Sequence, residues 1–247
     1  MKTHQIGMRC WSDFVIQVRS FSRSRGPSEQ AVLFRGHADA AWPLQSTLDR
    51  FVQKQCPTRD RESVRAELIF SFKQLARGLN SRLPGFDQAL AWELLARHHG
   101  VPSAILDWSR SAYVAAYFAF SDAECLGDEK GKVAIWMLDR TRLGGFRDAY
   151  FGARFSDEDE REEEFAVRWN SRAIEQQAVS MTVERWQEPI ETAFSPGLTK
   201  FVIPRSEAFG ALYDLRMMSV CARSLFRDLG GAATTAQLEF LTRDTDR

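Results

Sequence analysis

The stretch "LDWSRSAYVAAYFAF", residues 106–120, constrains this chain more than any other. From Ala112 onward it is apolar nearly all round, and a helix of that kind has almost no face to give to water. Just before it, Pro102 disfavours helix in its neighbour, "SAIL" reads as a brief extended segment, and "DWSRS" carries the Asp and Ser groups of a turn and an N-cap. The reading is a helix that starts near Ser111 and buries Ala115, Ala116 and Phe118. Such a helix needs a large core around it. With 247 residues, 44% of them apolar and 12% aromatic, the chain can supply one as a single globular unit.

Both hydrophobic periods occur elsewhere. Trp11, Phe14, Val15 and Val18 share one helical face, with Ser12 or Asp13 as N-cap. Val64, Leu68, Phe72, Leu75 and Leu79 recur at spacings of three and four, which predicts an amphipathic helix over 61–79. "FDQALAWELLARHHG" (86–100) has an Asp cap and a glycine just past its end, so it is a second helix. "AVLFR" (31–35) is a strand stopped by Gly36, "KVAIWML" (132–138) a central strand, and "LTKFVIP" (198–204) another strand closed by Pro204. "RAIEQQAVSMTV" (172–183) reads as one or two strands. From Ser206 the chain reads as three short helices. Helices and strands intermingle without regular β-α-β alternation, which places the fold in the α+β class.

Charge and cysteines exclude several functions. The 33 basic and 33 acidic residues cancel, so no overall field draws the chain to nucleic acid or to an anionic membrane. No run is long and apolar enough to span a bilayer, and "MKTHQIGMRCW" lacks the apolar core of a signal peptide, so a cytoplasmic protein is expected. Four dispersed cysteines and four histidines offer no metal-ligand spacing, and no metal is expected. His98 and His99 sit at a helix C-terminus, where imidazolium is favourable. Trp42, Trp92 and Trp108 read as core anchors. "SDEDEREEEF" (156–165), with seven carboxylates, reads as a solvated segment without a site.

Arg35 needs more explanation. An arginine at the end of an apolar strand cannot shed its charge, and its five donors need partners. Either it closes an ion pair with Asp107 or it awaits an anion.

Taken together, "LFRGH", "WPLQSTLDR", "AWELLARHHGVPSAILDWSRSAYVAAYFAF" and "SLFRDLGG" resemble the FRG domain family across residues 28–231, leaving 1–27 as an N-terminal helix and loop and 232–247 as a C-terminal helix or tail. Arg97 departs from that pattern by standing where the family usually has Gln. A more distant similarity runs to the Arg-Ser-Glu ADP-ribosyltransferases. It implies a mostly antiparallel central sheet with flanking helices, and NAD as a substrate. On that resemblance Arg35, Gly36, His37, Asp107, Ser109 and Ser111 would hold the cofactor, while Ser109 with Glu175 or Gln176 would act in catalysis. A carboxylate at the last position would hold a ribose hydroxyl and offset the charge that develops as nicotinamide leaves. On a strand only one of two neighbours, Glu175 or Gln176, faces a cleft, and Gln177 shares the ambiguity. A carboxylate there implies an enzyme, of a bacterial toxin or phage-defence type with a protein or nucleic acid acceptor. An amide alone implies a module that binds nucleotide, RNA or protein without catalysis.

Overall fold

The computed structural model describes residues 3–25, 31–79, 83–85, 87–121, 130–143, 153–156, 172–183 and 189–243. In chain order these form β1 (His4–Gly7), α1 (Trp11–Arg25), β2 (Val32–His37), α2 (Thr47–Gln55), α3 (Arg61–Ala76), α4 (Ala89–His98), β3 (Leu106–Ser109) and α5 (Ala112–Phe120). They continue with β4 (Lys132–Asp139), β5 (Ala153–Phe155), β6 (Ala178–Val183), α6 (Ile190–Ala193), β7 (Leu198–Pro204), α7 (Ala208–Met217), α8 (Ala222–Phe226) and α9 (Leu229–Arg243). The fold is α+β. Among the described residues a single mixed sheet runs β1-β7-β4-β2-β3-β6-β5, antiparallel throughout except for the parallel pair β1–β7. The acidic run after Ser156 lies outside the described residues.

The sheet is covered on both faces, which is why β4 is apolar at every position from Val133 to Leu138 rather than alternately. Val133, Ile135 and Met137 face a core built with Trp11, Phe14 and Val18 of α1, most of α5 and the inner residues of α7. Ala134, Trp136 and Leu138 face the other core, closed by Leu44, Phe155 and α6. The α5 helix is capped by Ser111, whose hydroxyl accepts from the Val114 amide at 3.3 Å. Ala115 and Ala116 are buried as expected. Phe118 is not: it is 36% exposed, and Phe120 takes the fully enclosed place. The reason is a gap on that side of α5, described below.

Two glycines have a different role from the one their neighbours suggest. Gly36 does not end β2, which runs on to His37. A Cβ at Gly36 would sit 2.0 Å from the Ala115 carbonyl oxygen and 2.7 Å from the Ala119 amide, so glycine is what lets α5 lie against the strand. Gly231 lies inside α9, where a Cβ would meet the Ala222 carbonyl oxygen at 2.6 Å.

No helix among the described residues is long and apolar enough to cross a membrane.

Candidate functional site

The strand β2 pairs with β4 at six successive positions but meets β3 at one, Phe34 opposite Ser109. Continuing that register would bring Gly36 opposite Asp107. The ladder stops instead, and the Arg35 side chain crosses the opening to donate from Nη1 to the Asp107 carbonyl oxygen at 2.5 Å. A guanidinium replaces the missing backbone donor. The opening leads into a cleft of about 760 Å³ lined by β2 and β3, the α2 and α4 helices, α5, and the turn before β6.

Arg35 thus lies on an inner strand within reach of the "LDWS" segment, as a buried arginine requires, but its partner is a carbonyl rather than the Asp107 carboxylate. That carboxylate is held by Arg97, whose Nε donates to Oδ2 at 2.7 Å and whose Nη2 makes a second, shorter contact with the same oxygen. Arg97 Nη1 also donates to the Ile105 carbonyl at 2.9 Å. Arg35 Nε points at His37 Nε2, 3.2 Å away, while Trp136 Nε1 points at His37 Nδ1, 3.3 Å away. A neutral imidazole can accept through only one of its two nitrogens, so only one of these two donors is satisfied at a time.

Burial dominates the electrostatics. It pushes the Arg35 guanidinium down to about 10, with Asp107 opposing and the neighbouring Arg97 and Arg50 adding to the effect. His37 is pushed down to about 3, first by burial and then by Arg35, so it is neutral at pH 7. His98 is also held below its ordinary value, by burial first and then by His99 and Arg172, against the expectation of a favoured imidazolium at the end of α4. Desolvation and nearby cations outweigh the helix dipole there. Gly100 does close α4, in the left-handed region at φ +84°, with Val101 N bonded to the Ala96 carbonyl.

Arg35, Gly36, His37, Asp107, Ser109 and Gln176 all line the one cleft. Ser109 is tied on both sides, its hydroxyl donating to the Gln176 carbonyl at 2.8 Å and accepting from the Ser111 amide at 3.0 Å. Ser111 itself is the α5 cap and is not among the lining residues. The residues Glu175, Gln176 and Gln177 do not lie on a strand. They form a turn that ends with Gln177 at φ +47°, and β6 begins at Ala178. The strand rule of alternate faces therefore does not apply to them. Gln176 lines the cleft and donates to the Leu225 carbonyl at 3.3 Å, whereas Glu175 is drawn to Arg227 at 2.7 Å.

Other lining residues were not singled out as site residues by the sequence: Arg50, Arg172, Phe118 and Phe226, with Arg97 marked only as a departure. Trp42, expected in the core, is 44% exposed at the cleft, while Trp92 and Trp108 are buried as expected. Arg172 lies 5.0 Å from the Phe226 ring centre and pairs with Asp228 at 2.6 Å. Among the described residues no cluster of three or more His, Cys, Asp or Glu side chains could hold a metal.

The class defined so far is an α+β domain with an arginine-lined cleft at a split in its sheet. The family model of the FRG domain matches residues 30–126, from just before β2 through α5 and so through the Arg35, Arg97 and Asp107 side of the cleft. No curated protein and no solved structure matches the chain.

Proposed function

We propose that the cleft receives a phosphorylated, nucleotide-like ligand and acts as a binding site. The observation that carries this reading is the charge of the lining: Arg35, Arg50 and Arg97 against one carboxylate, Asp107, which Arg97 already occupies, with a fourth arginine, Arg172, paired to Asp228. Among the described residues Arg35 has no carboxylate partner and the Arg50 side chain donates only to the Gln45 carbonyl, at 2.9 Å. Guanidinium groups held in this way suit a phosphate, which can take two donors from one fork. The aromatic rings of Trp42, Phe118 and Phe226 supply flat apolar walls for a base, and the volume is in the range of nucleotide sites.

A second reading rests on one observation, that Arg35, Ser109 and Gln176 meet in this cleft in the order of the Arg-Ser-Glu transferases. On that reading the chain consumes NAD as a toxin or phage-defence effector and modifies a protein or nucleic acid. Three features weigh against it. Gln176 cannot offset a developing positive charge, Glu175 is paired with Arg227, and the Ser109 hydroxyl is committed to backbone partners.

Calorimetric titration with NAD and ADP-ribose, run beside a nicotinamide-release assay, separates the two. Binding without release is expected, and release would instead support the NAD-consuming enzyme. Arg35→Lys should weaken binding about tenfold and Arg35→Ala about 30- to 150-fold, with melting temperature checked in parallel. Unchanged affinity in two folded variants would overturn the receptor reading.

A further inference from the structure

We propose that Asp107 selects the ligand of this cleft, admitting a phosphate that carries a sugar hydroxyl and rejecting a bare polyphosphate. The inference rests on the receptor reading above and names the ligand class more narrowly.

Two oxygens of one carboxylate stand in different positions. Oδ2 takes both Arg97 donors, while among the described residues Oδ1 has only the Ser180 hydroxyl at 3.5 Å, the outer limit of a hydrogen bond. The Asp107 side chain is 41% exposed although it lines a cleft whose other lining residues include no acid. A carboxylate oxygen so lightly held beside Arg35 is a liability if the ligand is only an anion, because it repels what the arginine attracts. It becomes an asset if the ligand brings an O–H donor next to its phosphate. The sugar of a ribonucleotide does this, with hydroxyls a few bonds from the phosphorus. Arg35 spans the same opening to the Asp107 backbone, so phosphate and hydroxyl would be read by adjoining groups. Arg97 holds the carboxylate in place without covering Oδ1.

Calorimetric titration of the full chain with inorganic pyrophosphate and with ADP-ribose tests the selection. Asp107→Asn keeps the shape and removes the charge. It should tighten pyrophosphate several-fold, through lost repulsion, and weaken ADP-ribose about tenfold, because a hydrogen bond to a neutral amide is weaker than one to a carboxylate. Opposite signs are the signature. If both ligands tighten, Asp107 is only a counter-charge; if both weaken, it only positions Arg97; and if neither changes, it is not read. Each of these outcomes overturns the proposal. Arg97→Gln gives an independent arm should the Asn variant not fold: with Oδ2 freed, the affinity ratio of ADP-ribose to pyrophosphate must rise, and a constant or falling ratio is a refutation. A parent protein that binds neither ligand would instead overturn the receptor reading on which the proposal rests.

Discussion

The strand β2 has two neighbours and treats them differently. Toward β4 it zips for six register pairs, and both faces of that seam are sealed, by α5 on one side and by Trp136 and Leu138 with their neighbours on the other. Toward β3 it is joined at one pair, and the space beyond is bridged by a side chain. The first seam makes stability and the second makes a site. A ladder satisfies every backbone donor and acceptor internally and leaves nothing for a ligand. Where the ladder opens, the strand ends keep polar groups in reach of solvent, and a side chain such as Arg35 can serve both the backbone and a visitor.

Substitutions on the two seams should therefore separate in size. The largest effect is expected at Gly36→Ala, because the added methyl collides with the α5 backbone rather than with a movable side chain. A loss of about 4 kcal/mol or more is expected in denaturant unfolding, above the usual cost of overpacking. A fully folded Gly36→Ala protein would show that α5 can stand off from the strand, and the sealed seam would not be sealed. Next comes Phe120→Ala, which empties an enclosed site and should cost about 3 to 5 kcal/mol.

His37 lies between the two seams, and its contribution is best seen through pH. Its folded value of about 3 lies below the ordinary value of 6.5, so between those limits the unfolded chain binds a proton that the folded one does not. Stability should therefore fall as pH drops from about 6.5 toward 3, by about 1.4 kcal/mol per pH unit at most from this residue. Thermal melts across that range, compared with His37→Gln, give the difference; equal slopes would mean that His37 is protonated in the fold. The smallest effect belongs to the open seam. Phe118→Ala, at the cleft rim against Phe226, should cost about 1 kcal/mol in stability while weakening binding of a base-bearing ligand.

What the sequence disclosed follows the same division. Elements whose residues pack against the core were readable from period alone: β4, β7, α1, α4, α5 and the three C-terminal helices all appear close to where their patterns put them, whereas α3 stops at Ala76 and leaves Leu75 and Leu79 of its expected apolar face exposed. The β1 strand was not read, because "HQIG" carries no strand pattern and owes its conformation to the backbone of β7. In the cleft, Arg35 was visible as an anomaly, a charge in an apolar run. Arg97 looked like an ordinary cation in the last turn of a helix, and its reach to Asp107 depends on how α4 is laid against β3. Phe226 and Arg172 arrive from elements more than fifty residues past α5, and no local spacing announces such a meeting. The misreading of "AIEQQ" has a local cause: its residues follow the pattern of the strand they lead into, and Gln177 in the left-handed region breaks it one position before Ala178.

The start of α1 is completed from the far end of the chain. The Trp11 amide donates to Glu207 at 2.9 Å and its indole to Asp214 at 3.0 Å, across 196 and 203 residues, and β1 lies beside β7. These contacts form only after a very long loop closes, at an entropic cost of about 3 to 4 kcal/mol relative to joining near neighbours. In time rather than in space, these far-reaching ties are therefore expected among the last contacts to close. The ties to β7 and α7 wait until those elements exist, although Trp11 also meets Tyr113 and Phe120 of α5, and local order in the intervening helices can come first. In a chain still being made these ties stand open while Arg35 and Asp107 are already available to meet.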